Sequence, residues 1–90
     1  MTINFIQMKE QFKLKVFTEN RAGLLNRISG VLSRRRINIE YMEVKETEEM
    51  GIHQYEIGIC ETAEATEKVV KQIEKQIDVI RAFAQKEKQR

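Results

Sequence analysis

QFKLKVFTENRAGLLNRISGVLSRRR (residues 11–36) contains the change of period that decides the fold. Its first eight residues alternate, with Phe12, Leu14 and Val16 on one side and Lys13 and Lys15 on the other. That is the two-residue period of a half-buried strand. Residues 19–23, Glu-Asn-Arg-Ala-Gly, break the alternation with turn and cap types. Leu24, Leu25, Ile28, Val31 and Leu32 then recur at the spacing of an amphipathic helix that runs to about Arg35.

Reading outward, residues 37–45 form a second strand rich in β-formers, and the acidic stretch 46–51 ends in glycine as a hairpin turn. Residues 52–60 follow as a third strand, with Tyr55, Ile57 and Ile59 sharing a face. Thr62 or Glu64 opens a second helix whose stripe is Ala65, Val69, Val70 and Ile73, and a last strand spans 78–84. Residues 1–10 are then an N-terminal extension, 11–84 the domain and 85–90 a polar tail. The order β-α-β-β-α-β predicts an α+β, ferredoxin-like βαββαβ sandwich: a four-stranded antiparallel sheet with two helices on one face.

In that topology the first and third strands are central. Their outer faces carry Lys13 and Lys15 on one, Gln54 and Glu56 on the other, so that face is wet. The second strand lies at an edge and is apolar on both sides, with Ile37, Ile39 and Tyr41 against Met42 and Val44. Such an edge invites pairing with another chain. The expectation is an edge-to-edge homodimer contacting through Ile37, Ile39, Tyr41 and Met42.

Composition narrows the class. Ninety residues make one small domain with a thin core. Sixteen basic and fourteen acidic side chains leave a net charge of +2 and no strong drive towards nucleic acid or membrane. The single Cys60 excludes an internal disulfide, no apolar run approaches the roughly 20 residues that span a bilayer, and the opening residues lack a signal peptide's pattern. A cytoplasmic domain is expected. His53 and Cys60 fall on opposite faces by strand parity, which suits neither a metal site nor a nucleophile–base pair. Cys60 reads as a small core residue and His53 as an exposed or interface side chain. Arg34, Arg35 and Arg36 read as cations at a helix C-terminus rather than a nucleic-acid patch. An RNA-binding sheet needs a pair of stacking aromatics on its central strands, whose open faces here offer Phe17 but otherwise Lys13, Lys15, Gln54, Glu56 and Gly58. The residues give no catalytic constellation and no cofactor site.

The 19–23 loop has a physical reason to meet an anion. A helix start presents unpaired N–H groups and partial positive charge, and Gly23 lets a ligand approach the backbone. A free amino acid offers a carboxylate to those donors, and Asn20 can accept from its ammonium or donate to its carboxylate. The plainer alternative makes Asn20 a cap and Gly23 a turn residue.

Residues 17–43, FTENRAGLLNRISGVLSRRRINIEYME, resemble the start of an ACT domain. They are most similar to the N-terminal domain of the small regulatory subunits of acetohydroxyacid (acetolactate) synthases. The resemblance is carried by Glu19, Asn20, Gly23 and Leu25, then Ser33-Arg34-Arg35, then Asn38-Ile39-Glu40, and finally VKQIEKQIDV at 70–79. It implies feedback sensing of branched-chain amino acids, mainly valine, at sites formed where paired domains meet. It implies a thiamine-diphosphate-dependent catalytic large subunit as partner. By motif, Asn20 and Gly23 hold the ligand backbone, Asn38 adds a polar contact, and Leu24 and Leu25 cover the aliphatic side chain. An ACT domain with another ligand, or one that only mediates assembly, is the first alternative, and a nucleic-acid-binding ferredoxin-like module is the second. Two departures stand out. Ala22 occupies a place where many ACT domains have proline, keeping a donor and losing pre-organisation. Arg36 occupies a place where the family often has glycine, so the helix is expected to end differently. Small subunits of this kind also carry a second domain.

Overall fold

The computed structural model describes residues 8–19 and 23–87. Six elements run β1 Glu10–Glu19, α1 Leu24–Arg34, β2 Ile39–Glu46, β3 Ile52–Glu61, α2 Ala63–Glu74 and β4 Val79–Lys86. The sheet is antiparallel in the order β2-β3-β1-β4. This is the ferredoxin-like arrangement expected from the sequence, with β1 and β3 central and β2 at an edge.

Strand alternation sets the inner face. Leu14 and Val16 of β1, Tyr55, Ile57 and Ile59 of β3 and Ala82 of β4 are buried against the helices. α1 contributes Leu24, Ile28, Val31 and Leu32 at the spacing of one helical face. α2 contributes Val69 and Ile73, together with Thr66 rather than the Ala65 of the expected stripe. Thr62 caps α2 by accepting from the Ala65 N–H at 3.1 Å, which resolves the choice between Thr62 and Glu64.

The end of α1 keeps the geometry that glycine usually supplies. Arg36 N–H donates to Ser33 O at 2.9 Å and Ile37 N–H to Leu32 O at 3.0 Å, the paired bonds of a Schellman motif. Arg36 itself sits in the left-handed region at φ 59°. The expectation of a different ending is corrected: the chain places arginine in the glycine position at a steric cost. The motif's apolar contact explains the burial of Ile37, which lies in the core beside Leu32 and outside β2. Arg36→Gly is therefore expected to stabilise the fold by about 1 kcal/mol, read as a higher urea midpoint with an unchanged slope.

β2 departs from simple alternation. Ile39 pairs with Ile59, but the register shifts before Tyr41, which pairs with Gly58, while Met42 and Val44 face Ile57 and Tyr55. A bulge at Glu40 adds one residue. It moves Ile39 to the same side as Met42 and Val44, leaving Tyr41 on the outer face. The expected grouping of Ile39 with Tyr41 is thus corrected. Cys60 is also relocated: it pairs with Gln11 on the outer face and is half-buried, not a core residue. β4 runs to Lys86, two residues into the expected polar tail, because its backbone pairs with Phe12 and Lys13.

Candidate functional site

The start of α1 differs in construction from that of α2. Gly23 is its N-cap at φ 82°, ψ −6°, with no side-chain capping bond and no acid in the first turn. A left-handed φ at this position requires glycine in practice, and among the described residues a Cβ placed there meets nothing within 4 Å. The dipole favours an anion here. Asn20 and Ala22 lie outside the described residues.

The feet of the 19–23 loop are anchored by a residue that no local pattern singles out. Asp78, in the turn before β4, accepts from Arg27 Nη2 at 2.7 Å, and its carbonyl accepts from Glu19 N–H at 3.0 Å. One residue thus holds the strand end entering the loop and the first turns of the helix leaving it. Its signal is hidden by 51 residues of sequence separation from Arg27. Beside this anchor, Thr18 is fully buried, and its hydroxyl has no hydrogen-bond partner among the described residues. A buried hydroxyl left unpaired costs about 1–3 kcal/mol.

The other expected contacts separate. Leu24 is 1% exposed and belongs to the core, whereas Leu25 is 45% exposed beside it. Asn38 is exposed ahead of β2. Gly23 and Asn38 bracket α1, so a helix of 11 residues, about 16 Å long, stands between them. A single amino acid cannot bridge them within one chain.

On the β2 edge, Tyr41 is 37% and Val44 49% exposed, and Ile39 and Met42 are half-buried against the core. Ile37 is 5% exposed, so the apolar edge that remains is Ile39, Tyr41, Met42 and Val44.

The outer face is a charge network with an aromatic end. Glu56 is approached by Lys13 at 3.8 Å, Lys45 at 3.6 Å and the Gln54 amide at 2.8 Å. Phe83 joins Phe17 there, with centroids 6.3 Å apart. Phe83 comes from edge strand β4, where the alternation that buries Ala82 turns it outward. Arg81 lies over both rings, at 4.9 and 5.2 Å from their centroids, occupying the position a stacked base needs. The basic run is likewise absorbed: Arg35 Nε donates to Gln72 on α2 at 2.6 Å, and Arg36 ends the helix. Among the described residues, no helix is long and apolar enough to cross a membrane.

Comparisons with known proteins agree with the fold. Residues 14–81 match the family described as the AHAS small subunit-like ACT domain. The acetolactate synthase small subunit of Bacillus subtilis is 40% identical over 63 residues, which are 69% of this chain and 37% of that protein. That of Buchnera aphidicola subsp. Schizaphis graminum is 37% identical over 70 residues, 78% of this chain and 44% of that protein. The isozyme 3 small subunit of Escherichia coli is 34% identical over 68 residues, 76% and 42% respectively. The chain thus spans about two fifths of the length of these relatives. In fold it is similar to the acetolactate synthase small subunit of Thermotoga maritima, with a TM-score of 0.76 at 21% identity over 83% of this chain and 47% of that one. It is also similar to the ACT domain from GTP pyrophosphokinase of Chlorobium tepidum, with a TM-score of 0.72 at 18% identity over 86% of this chain and 99% of that one. With the match running from β1 into β4 and the glycine-started α1 at its head, the chain belongs to the ACT domains of the acetohydroxyacid (acetolactate) synthase small-subunit type.

Proposed function

We propose that this domain senses a branched-chain amino acid, valine foremost, as a homodimer paired through β2, and that it serves a cytoplasmic acetolactate synthase as a regulatory, non-catalytic part. The family match supports the regulatory class. The observation that carries the shared site is the placement of Gly23 and Asn38 at opposite ends of α1. β2 runs parallel to β1, since both are antiparallel to β3. Two β2 strands paired about a two-fold axis bring the start of one β2 towards the start of the other chain's α1. Asn38 of one copy then approaches Gly23, with Asn20 and Ala22, of its partner, and two such sites form per dimer.

In each site the helix-start N–H groups take the carboxylate, the two asparagines take the polar atoms and Leu25 meets the aliphatic side chain. Leu24 supports that contact from the core. Ligand binding only to the paired arrangement shifts the population towards it, and a catalytic large subunit reads the shift. No cofactor is assigned to this chain. Calorimetric titration with valine, leucine and isoleucine tests the reading, with heat of binding expected and valine preferred. Loss of a hydrogen bond to a charged ligand group in Asn38→Ala or Asn20→Ala should weaken binding about 10-fold or more. The absence of both heat and thermal stabilisation at millimolar amino acid overturns it.

A further inference from the structure

The outer face contains one contact that spans the sheet from edge to edge. Tyr41 stands on the edge strand β2, and its ring lies against Gly58 of β3, where a Cβ would overlap the ring carbons. Its hydroxyl donates to Glu87 Oε2 at 2.8 Å. Glu87 follows the last residue of β4, the opposite edge strand, and its N–H donates to Gln11 O of β1 at 2.9 Å. Its carboxylate also meets Lys13 Nζ at 3.9 Å. The contact therefore passes over all four strands, about 14 Å at ordinary strand spacing. The Tyr41 phenol is pushed up to about 12, first by burial, then by its bond to Glu87 and by the charges of Glu87, Glu56 and Glu43. It therefore stays protonated and donates throughout the neutral range.

We propose that the Tyr41–Glu87 bond is a strap that couples the free edge at β2 to the point where the chain leaves β4. The strap exists whether or not β2 pairs; its regulatory use rests on the β2-paired dimer proposed above. Tyr41 is rooted on β2 and still 37% exposed, so a copy paired on β2 sets its own outer-face side chains beside the ring and holds it in its bond to Glu87. Coupling of this kind is reciprocal: a change at Glu87 alters pairing at β2, although Glu87 belongs to the far edge. Gly58 makes the strap possible because any Cβ there would overlap the ring.

Two measurements on the full chain test the strap and its coupling. Amide exchange at Glu87 should accelerate about 3–10-fold in Tyr41→Phe, whose ring still covers Gly58, and by a similar factor in Glu87→Gln. The two effects should not multiply in the double variant. Sedimentation should show the dimer dissociation constant raised by a similar factor in Glu87→Gln, and left alone by Lys86→Gln, which breaks only the neighbouring Lys86–Glu10 pair. Unchanged Glu87 exchange in Tyr41→Phe overturns the strap. A dimer indifferent to Glu87→Gln overturns its coupling role. A chain that stays monomeric overturns both the pairing and that coupling role, and the exchange rates then decide the strap by themselves.

Discussion

Ile57→Ala is expected to remove about 2–5 kcal/mol of stability, the range for truncating a fully buried aliphatic side chain. Ile57 is 0% exposed. It sits on central strand β3 between Leu14 of β1 and Met42 of β2. Elements on both sides and the helices above hold the space open, so the cavity left by truncation cannot easily collapse. A 90-residue domain has a total stability of roughly 5–14 kcal/mol, so this one change removes a substantial part of it. Urea unfolding should show a midpoint lowered by about 1 M or more at an unchanged slope. Met42→Ala, one strand outward on the same row and only half-buried, should cost distinctly less in the monomer. A loss at Ile57 no larger than that at Met42 contradicts the placement of the core.

Much of this architecture is legible in the sequence because burial and periodicity agree along most of the chain. Leu14 and Val16, Tyr55, Ile57 and Ile59, and the α1 stripe alternate or recur without interruption, so spacing alone assigns each face. Legibility fails where one backbone event shifts the count. The bulge at Glu40 carries no glycine or proline to announce it, and it reverses the parity of everything before it on β2. Arg36 adopts a conformation that its side chain disfavours, and only the buried Leu32–Ile37 contact that it permits accounts for this. Cys60 and Phe83 obey the parity of their strands, against what their own hydrophobicity suggests.

The candidate site is less legible than the fold. Gly23 is visible as a turn residue, and its left-handed φ gives that reading substance. Asn38 is visible only as part of a motif. That the two bracket α1, and so need two chains to meet, follows from helix length and not from their spacing in sequence. Nothing in the sequence announces the roles of Asp78 and Thr18. One acts across 51 residues on Arg27, and the other is a threonine in a strand, where threonine is ordinary.

Gly58→Ala is the second substitution with a large expected effect, about 1–3 kcal/mol, in the manner of an overpacked site. The new methyl would overlap the Tyr41 ring. Gly58 is flanked by Tyr41 on β2 and Lys13 on β1, so the backbone cannot withdraw without disturbing both ladders. The ring must therefore swing off the sheet and release Glu87. A double-mutant comparison separates this from a general intolerance of side chains in β3. In a Tyr41→Ala background the ring is gone, and Gly58→Ala should cost little or even stabilise, because alanine restricts the unfolded chain more than glycine does. Were the penalty to persist in that background, the clash would lie with the strand and not with Tyr41. Relief of the penalty, together with faster exchange at Glu87 in the single variant, would tie one glycine on a central strand to the behaviour of both edges of the sheet.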